Sequence, residues 1–160
     1  MIANWDTSTL IQNFDIASKF IENNSSVEES AAFGIIESMK EVYGDDYELL
    51  KKQIARYLEL ATQFQEIYGN GPITIMRAPA RINIIGEHID YIKYFPTRVL
   101  PFGSREYDML MAMRKREGTQ LARCVRMATT AEGLEFKEFN ISEFPQRLDK
   151  DREMYWLEYL

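Results

Sequence analysis

The sequence predicts an α/β protein of the α+β type, in which a helical segment, residues 1–70, precedes a β-rich portion, residues 71–160. Two observations support this order. The apolar residues keep a helical spacing in the first segment and alternate as in strands after it. The first segment carries 12 acidic and 5 basic side chains, against 13 and 14 in the second. The turn-like stretch Gly69–Pro72 coincides with both changes, so a domain boundary is predicted there.

Three amphipathic helices are predicted in the first segment, over residues 9–22, 27–43 and 46–68. Asp45 or Asp46 is placed to cap the third helix, because a carboxylate accepts hydrogen bonds from the first free N–H groups of a helix. A glycine follows the second and the third helix and ends each of them. The apolar stripes need a partner surface, since isolated helices have little stability of their own.

The second portion is predicted to contain strands at 73–77, 107–114, 120–128 and 134–141. Turn-like residues that include glycine separate the later strands. The run Met109–Met113 is apolar at every position, which is typical of a strand in a sheet that is covered on both faces. The sequence therefore predicts a strand buried from two sides there.

A final helix is predicted from Asp149 to Leu160, with Trp156 on it. Neither glycine nor proline ends this helix before the last residue. We therefore expect the chain to be a truncated piece of a longer protein.

Composition argues against several classes of protein. The net charge is -6 at pH 7, and the acidic helical segment argues against nucleic acid as a partner. The single cysteine, Cys124, cannot form an intrachain disulfide, which favours a reducing, cytoplasmic location. No apolar run approaches the ~20 residues of a membrane span, and no basic stretch leads into an apolar one at the start. We expect neither export nor membrane insertion.

The densest group of reactive side chains lies in residues 81–91. A β-branched apolar run predicts a buried strand that ends at Gly86, where glycine permits a turn with positive φ. Glu87, His88 and Asp90 follow at once. Two carboxylates and an imidazole suit a ligand with several neighbouring hydroxyls, such as a sugar or polyol, since each hydroxyl both donates and accepts a hydrogen bond.

Arg81 precedes this group on the same predicted strand. Its guanidinium is a permanent charge with a planar donor fork that suits phosphate. An alternative stays open, in which these side chains only form salt bridges at the strand end, for instance Arg81 with Asp90. A metal site is less favoured, because His88 is the only histidine and no two-histidine zinc motif exists. We predict no metal site.

Residues 78–91 read APARINIIGEHIDY, and residues 99–101 read VLP. Together they resemble the galactokinase signature of the GHMP small-molecule kinases, which runs Gly-Arg-x-Asn-apolar-Ile-Gly-Glu-His-x-Asp-Tyr-Asn and continues with an apolar residue, Leu and Pro. The resemblance covers roughly residues 71–160 and none of the helical segment. It implies an N-terminal lobe with a mixed β-sheet and helices, and an ATP-dependent kinase that phosphorylates a hydroxyl of galactose or a related monosaccharide.

The resemblance also implies roles for individual residues. Arg81 would be catalytic and would assist phosphoryl transfer near the nucleophilic hydroxyl. Four residues would bind the sugar: Glu87, His88, Asp90 and Tyr91. Asn83 and Gly86 would shape the strand end and the turn. Phosphoryl transfer requires positioning and charge neutralisation, and these residues match both requirements.

The chain departs from the signature in three places. Ala80 stands where the family has glycine, and Ile89 and Ile92 stand where it has threonine and asparagine. A short insertion precedes Val99. Because the insertion lies beside the sugar-binding set, it opens the choice of sugar beyond galactose.

The sequence lacks the part of the family pattern that binds ATP. The family binds the ATP phosphates with a glycine- and serine-rich loop at a helix start, and no such loop occurs in this chain. ATP and Mg²⁺ are therefore implied for the full-length parent, and the isolated chain is expected to be inactive. The alternatives are a non-catalytic sugar-binding regulatory protein and an interaction module in which residues 1–70 mediate self-association.

Overall fold

The computed structural model describes residues 2–23, 31–86, 99–115, 124–129 and 137–140. Its elements, in chain order, are β1 (Ile2–Asp6), α1 (Thr7–Asn23), α2 (Ala31–Tyr43), α3 (Tyr47–Tyr68), β2 (Pro72–Ile85), β3 (Leu100–Met113), β4 (Cys124–Met127) and β5 (Lys137–Asn140). The predicted α+β class is confirmed, because three helices precede most of the strands. The chain divides into two compact units, residues 1–114 and 115–160, which we describe separately.

The three predicted helices are confirmed over the described residues. Asp46 is the N-cap of α3, and its carboxylate accepts a hydrogen bond from the backbone N–H of Leu49 at 3.0 Å. Gly69 follows the helix with a φ of 75°, a conformation that glycine adopts without the steric cost of a Cβ atom. Its N–H donates to the carbonyl of Gln65 at 2.8 Å. Both ends of α3 are thus set by local sequence signals.

The strand β1 was not predicted by the sequence. It pairs antiparallel with β2, with Trp5 opposite Ile73, and the N–H of Thr7 then donates to the carbonyl of Gly71 at 3.1 Å. The order of the first sheet is β1-β2-β3. A five-residue strand whose partner lies beyond three helices leaves no local periodic signal, which explains why it was missed.

One apolar core lies between the helices and the inner face of this sheet. Ile73 and Ile75 of β2 point into it, and each is 1% exposed. The buried apolar residues are Leu10, Phe14, Ala17, Ile21, Ala32, Ile35, Ile36, Met39, Tyr43, Leu50, Ile54, Tyr57, Ala61, Ile73 and Ile75. The helical stripes therefore find their partner surface in one another and in β2. The unit of residues 1–114 includes both sides of the predicted boundary near residue 70, which stays a prediction as a domain division.

The outer face of the sheet differs from the expectation for β3. Met109, Met111 and Met113 are 67%, 39% and 40% exposed, whereas Leu110 and Ala112 pack against the core. The prediction of a strand covered on both faces is therefore wrong for the described residues. A continuous apolar run hides the alternation of a strand, and here only every second residue faces the helices.

The second unit contains the sheet β4-β5. The two strands pair antiparallel from Cys124 opposite Asn140 to Met127 opposite Lys137. These strands fall inside the predicted ranges 120–128 and 134–141. The final helix predicted from Asp149 lies outside the described residues. Across all described residues, no helix has the length and apolarity that crossing a membrane requires.

The N-cap of α3 provides a direct test of the helix boundary. Replacing the cap by Asp46→Ala should lower the free energy of unfolding by about 1 kcal/mol, because the N–H of Leu49 loses its acceptor. Urea unfolding followed by circular dichroism measures this change. The matched control is Asp45→Ala, at the neighbouring exposed carboxylate, which should change stability by less than about 0.5 kcal/mol. Equal losses in both variants would contradict the assignment of the cap.

Candidate functional site

The structure describes the first part of the predicted site. Arg81 and Asn83 lie on β2, and Gly86 follows the strand with a φ of 93°. The predicted strand and its turn with positive φ are thereby confirmed, but the expected burial is wrong, because Ile82, Ile84 and Ile85 are 61%, 61% and 67% exposed. The predicted sugar-binding residues, Glu87, His88, Asp90 and Tyr91, lie outside the described residues. The structure therefore describes the site only along β2, which holds Arg81 and Asn83 and leads to the turn at Gly86.

Arg81 is exposed and lies opposite Gly103 of β3. Within the part of the chain that the structure describes, its guanidinium takes part in neither an ion pair nor a hydrogen bond. A free guanidinium on a strand that is fixed on one side can serve an anionic ligand without first breaking an internal pair. The role that the resemblance gives to Arg81 stays a prediction.

Asn83 is half-buried and lies opposite Pro101. Its Oδ1 atom is buried and has no hydrogen-bond partner among the residues that the structure describes. Buried amide oxygens usually accept a hydrogen bond, so an unpartnered one is uncommon and marks a place where a donor fits. Asn83 therefore offers an acceptor at the strand end that leads to the turn.

A wide bulge in β3 separates Arg81 from the regular part of the sheet. Pro79 lies opposite Asp108, whereas Arg81 lies opposite Gly103. Residues 104–107 of β3 therefore have a single residue opposite them on β2, namely Ala80. We call residues 104–107 the β3 bulge. Bulges leave ladder hydrogen bonds unmade, so their backbone groups need other partners.

Side chains from α3 and β2 supply those partners. Arg77 Nη2 donates to the carbonyls of Ser104 at 3.2 Å and Arg105 at 3.0 Å. Gln53, a fully buried residue of α3, donates through Nε2 to the carbonyl of Glu106 at 3.3 Å. Three consecutive carbonyls of the β3 bulge are therefore held from the core side of the sheet.

The carboxylate of Asp108 ties these donors together. Its side chain is 0% exposed. It accepts hydrogen bonds from Tyr43 Oη at 2.7 Å, from Arg56 Nη1 at 2.7 Å and from Arg77 Nε. The guanidinium of Arg77 also lies over the ring of Tyr43, 5.0 Å from its centroid. We call Asp108 with Tyr43, Arg56 and Arg77 the Asp108 cluster, and it joins α2, α3, β2 and β3.

Burial and charge act in opposite directions on the pKa of Asp108. Burial raises this pKa, but the hydrogen bonds from Tyr43, Arg56 and Arg77 outweigh it and lower the pKa below its usual value. The pKa of Tyr43 is raised, first by burial and then by its hydrogen bond to the carboxylate. The cluster thus holds a deprotonated aspartate and a protonated tyrosine at neutral pH.

The sequence analysis missed the Asp108 cluster. Its signal was present, since Asp108 directly precedes the apolar run Met109–Met113 and alternates in phase with the inward residues Leu110 and Ala112. A charge at an inward position of a strand requires a buried partner or a position at an edge. The sequence does not show which arginines pair with Asp108, because Arg56 and Arg77 lie on different secondary-structure elements.

The described residues include an open groove next to the bulge and show no metal-binding cluster. The groove has a volume of about 600 Å³ and lies between α3, residues 78–80 of β2 and residues 106–109 of β3. Its lining includes Lys52, Arg56 and Glu106, but none of the predicted site residues. Among the described residues, no three His, Cys, Asp or Glu side chains come together as metal ligands would.

Known proteins match the part of the chain that holds this strand. A family model described as the galactokinase galactose-binding signature matches residues 62–115. The chain contains a galactokinase-like portion. Galactokinase from Dictyostelium discoideum is 45% identical over 80 residues, which cover 49% of this chain and 14% of that protein. Galactokinase from Candida albicans is 47% identical over 60 residues, which cover 37% of this chain and 10% of that protein.

These comparisons confirm the resemblance and change its limits. The galactokinase signature match begins at residue 62, inside α3, whereas the resemblance in the sequence begins at about residue 71. The expectation that it includes none of the helical segment is therefore wrong. The matched region contains Arg81, the β3 bulge and Asp108. The chain spans only 14% and 10% of the length of these two relatives, and no solved structure matches it significantly.

Loss of the Asp108 charge should destabilise the first unit. In Asp108→Asn, two guanidiniums and the hydroxyl of Tyr43 lose their common anion. Breaking a fully buried ion pair costs ~3–5 kcal/mol, and we expect about 2 kcal/mol here because Arg56 and Arg77 keep some contact with water. Urea unfolding at pH 7 measures this loss. A change below about 0.5 kcal/mol, the range of an ordinary surface substitution, would contradict the role of the cluster.

The pH dependence of stability should reveal the same carboxylate. Because the pKa of Asp108 is lower in the folded state, its contribution is complete above the unfolded value of about 3.9 and is lost as pH falls through the folded value. The stability difference between the unaltered protein and Asp108→Asn should therefore shrink as the pH falls below about 4. Urea unfolding at several pH values measures it. Asp15→Asn, at a half-exposed carboxylate of α1, serves as control and should show a small difference throughout.

Proposed function

We propose that this chain carries the sugar-binding half of an ATP-dependent, galactokinase-like sugar kinase of the GHMP class. The observation that supports it most directly is the match of residues 62–115 to the galactokinase galactose-binding signature. The strand β2 and the turn at Gly86 give that signature a defined geometry up to the sugar-binding residues. The substrate would be a monosaccharide, galactose or a related sugar, and the reaction a phosphoryl transfer to one of its hydroxyls.

In this proposal, Arg81 is the catalytic residue of the chain. Charge spreads over the transferring phosphoryl oxygens, and a guanidinium that is already in place neutralises it without reorganisation. The unpaired state of Arg81 in the described structure supports this role. Asn83 and Gly86 shape the strand end and the turn, and the buried Oδ1 of Asn83 adds an acceptor there.

The sugar would be bound by Glu87, His88, Asp90 and Tyr91. Carboxylates accept hydrogen bonds from neighbouring hydroxyls, while the imidazole and the phenol can both donate and accept. Such a set fixes the orientation of the ring, and orientation brings one hydroxyl into line with the phosphoryl group. The insertion before Val99 carries Lys93 and Arg98, which would suit a sugar with an acidic substituent.

ATP and Mg²⁺ belong, in this proposal, to the full-length parent protein. The residues of this chain do not fit either group, because the sequence has no glycine- and serine-rich phosphate loop and the described residues form no cluster of three metal ligands. We therefore expect no phosphorylation of sugar by the isolated chain. Its own contribution is to bind and orient the sugar and to supply Arg81.

The second candidate is a non-catalytic sugar-binding module with a regulatory or interaction role. Self-association through residues 1–70 is part of this candidate. Both candidates assume a cytoplasmic protein that binds neither nucleic acid nor membranes, as the acidic charge and the single cysteine suggest. They differ in whether the parent protein turns over ATP.

Sugar binding can be tested with carboxylate variants that keep the shape of the side chain. Glu87→Gln and Asp90→Asn should each weaken the binding of D-galactose at least ~10-fold, because a hydrogen bond to a charged group contributes ~1.5–3 kcal/mol. Isothermal titration calorimetry with D-galactose, and with L-arabinose and D-galacturonate for comparison, measures the affinities. The control is Glu41→Gln, at an exposed carboxylate of α2, which should leave the affinity within ~2-fold.

Two outcomes would decide against parts of the proposal. If no sugar binds to the unaltered chain, the sugar-binding assignment fails. If the parent protein binds sugar and transfers no phosphoryl group from ATP to it, the proposed kinase activity is excluded and the non-catalytic module is supported.

A further inference from the structure

The register of β2 against β3 changes at the β3 bulge, and a smaller shift follows between Asn83 and Ile85. From Thr74 opposite Met113 to Pro79 opposite Asp108, each step forward on β2 is one step back on β3. If that register continued, Arg81 would lie opposite Glu106. The bulge shifts β3 by three residues, and Gly103 lies opposite Arg81 instead.

The shift decides whether Arg81 has an acidic neighbour. Residues directly opposite each other in an antiparallel pair lie on the same face with Cβ atoms ~4.5–5.5 Å apart, and opposite charges at such positions attract. An arginine facing a glutamate there would form a cross-strand ion pair. With Gly103 at this position, no side chain faces Arg81, and its guanidinium forms no ion pair within the described residues.

We propose that Gly103 and the β3 bulge are a positioning device that keeps Arg81 free of a cross-strand acidic partner so that it can bind a phosphoryl anion. Gly103 is a positioning residue, since it touches neither the sugar nor the phosphate and acts by lacking a side chain. The identity of the anion rests on the proposed function. That no acidic residue of β3 lies directly opposite Arg81 rests on the register alone.

The Asp108 cluster holds this register in place. A return to the regular register would draw residues 104–107 back into the ladder, so the carbonyls of Ser104, Arg105 and Glu106 would leave their donors Arg77 and Gln53. Arg77 is itself held in place by its ion pair with the buried carboxylate of Asp108, which keeps its guanidinium directed at these carbonyls. The core side of the sheet thus fixes which β3 residue faces Arg81.

The test restores the missing carboxylate at the facing position. The backbone accepts a side chain at Gly103, because a Cβ atom there would lie 3.9 Å from Pro79 Cβ, an ordinary contact. Gly103→Glu places a carboxylate opposite Arg81, and Gly103→Gln places a neutral side chain of the same size there. Inorganic phosphate is the probe, and its affinity is followed through the Arg81 Nε–H signal in two-dimensional NMR of the full chain.

We expect phosphate to bind about five-fold more weakly to Gly103→Glu than to the unaltered chain, the effect of a half-exposed ion pair near 1 kcal/mol. Gly103→Gln should weaken it by less than about two-fold, since no charge is added. Equal weakening in both variants would overturn the inference, because size and not charge would then be responsible. Absence of a phosphate-induced shift at Arg81 in the unaltered chain would overturn it as well.

A second pair of variants covers the case in which Gly103→Glu does not fold. Arg77→Gln loosens the β3 bulge and should shift the amide signals of Arg81 and Gly103 and weaken phosphate binding. Arg114→Gln removes the same charge and also frees carbonyls, those of Tyr68, Gly69 and Asn70, but at the other end of the sheet. It should leave the Arg81 signals in place. Identical effects of the two variants would overturn the inference.

A D-galactose titration of the same samples separates this inference from the proposed function. Galactose should shift signals in the unaltered chain and in Gly103→Glu alike. If galactose shifts nothing while phosphate still distinguishes glutamate from glutamine at Gly103, the sugar-kinase proposal fails and the positioning role remains.

Discussion

The buried carboxylate of Asp108 is the interaction on which the first unit depends. It lies on β3, yet its hydrogen-bond donors come from α2, α3 and β2. An aspartate in this position would be strongly unfavourable without them, since burial opposes its charge. Once the carboxylate is compensated, it fixes two arginines, and one of these holds the carbonyls of a wide bulge. A single charge thus connects helix packing to the register of the sheet.

This link between helix packing and sheet register also involves β2, the strand on which the galactokinase-like motif begins. The described part of the motif that follows residue 80 lies on the half of β2 beyond the bulge, where the pairing with β3 is shifted. Apolar burial secures the other half, around Ile73 and Ile75. Two kinds of force therefore meet on one strand: the hydrophobic effect anchors its beginning, and directional hydrogen bonds fix its continuation toward the turn. Because of this division, the half of β2 beyond the bulge is exposed and still pairs with β3 in a defined register.

The helices and the main strands could be predicted because their signals are local. The cap at Asp46, the spacing of apolar residues and the turn at Gly86 all act over a few residues. The strand β1 and the Asp108 cluster could not be predicted, since Trp5 meets Ile73 and Arg56 meets Asp108 only in the folded chain. The two-sided burial expected for Met109–Met113 failed for a related reason, because hydropathy does not show how many layers cover a sheet. Arg81 and Asn83 were found through a motif, whereas Gly103 has significance only through the register.

The pairing of β1 with β2 has a consequence for the order of events in folding. The two strands are separated in sequence by all three helices, so their pairing closes a loop of more than sixty residues. Loop closure of this kind costs entropy that local helix contacts do not. We expect the helices to assemble with β2 and β3 first and the N-terminal strand to dock late, with the hydrogen bond from Thr7 to Gly71 as one of its closing contacts. The edge strand would then also be the first element to detach, and its amide protons should exchange with solvent before those of the core.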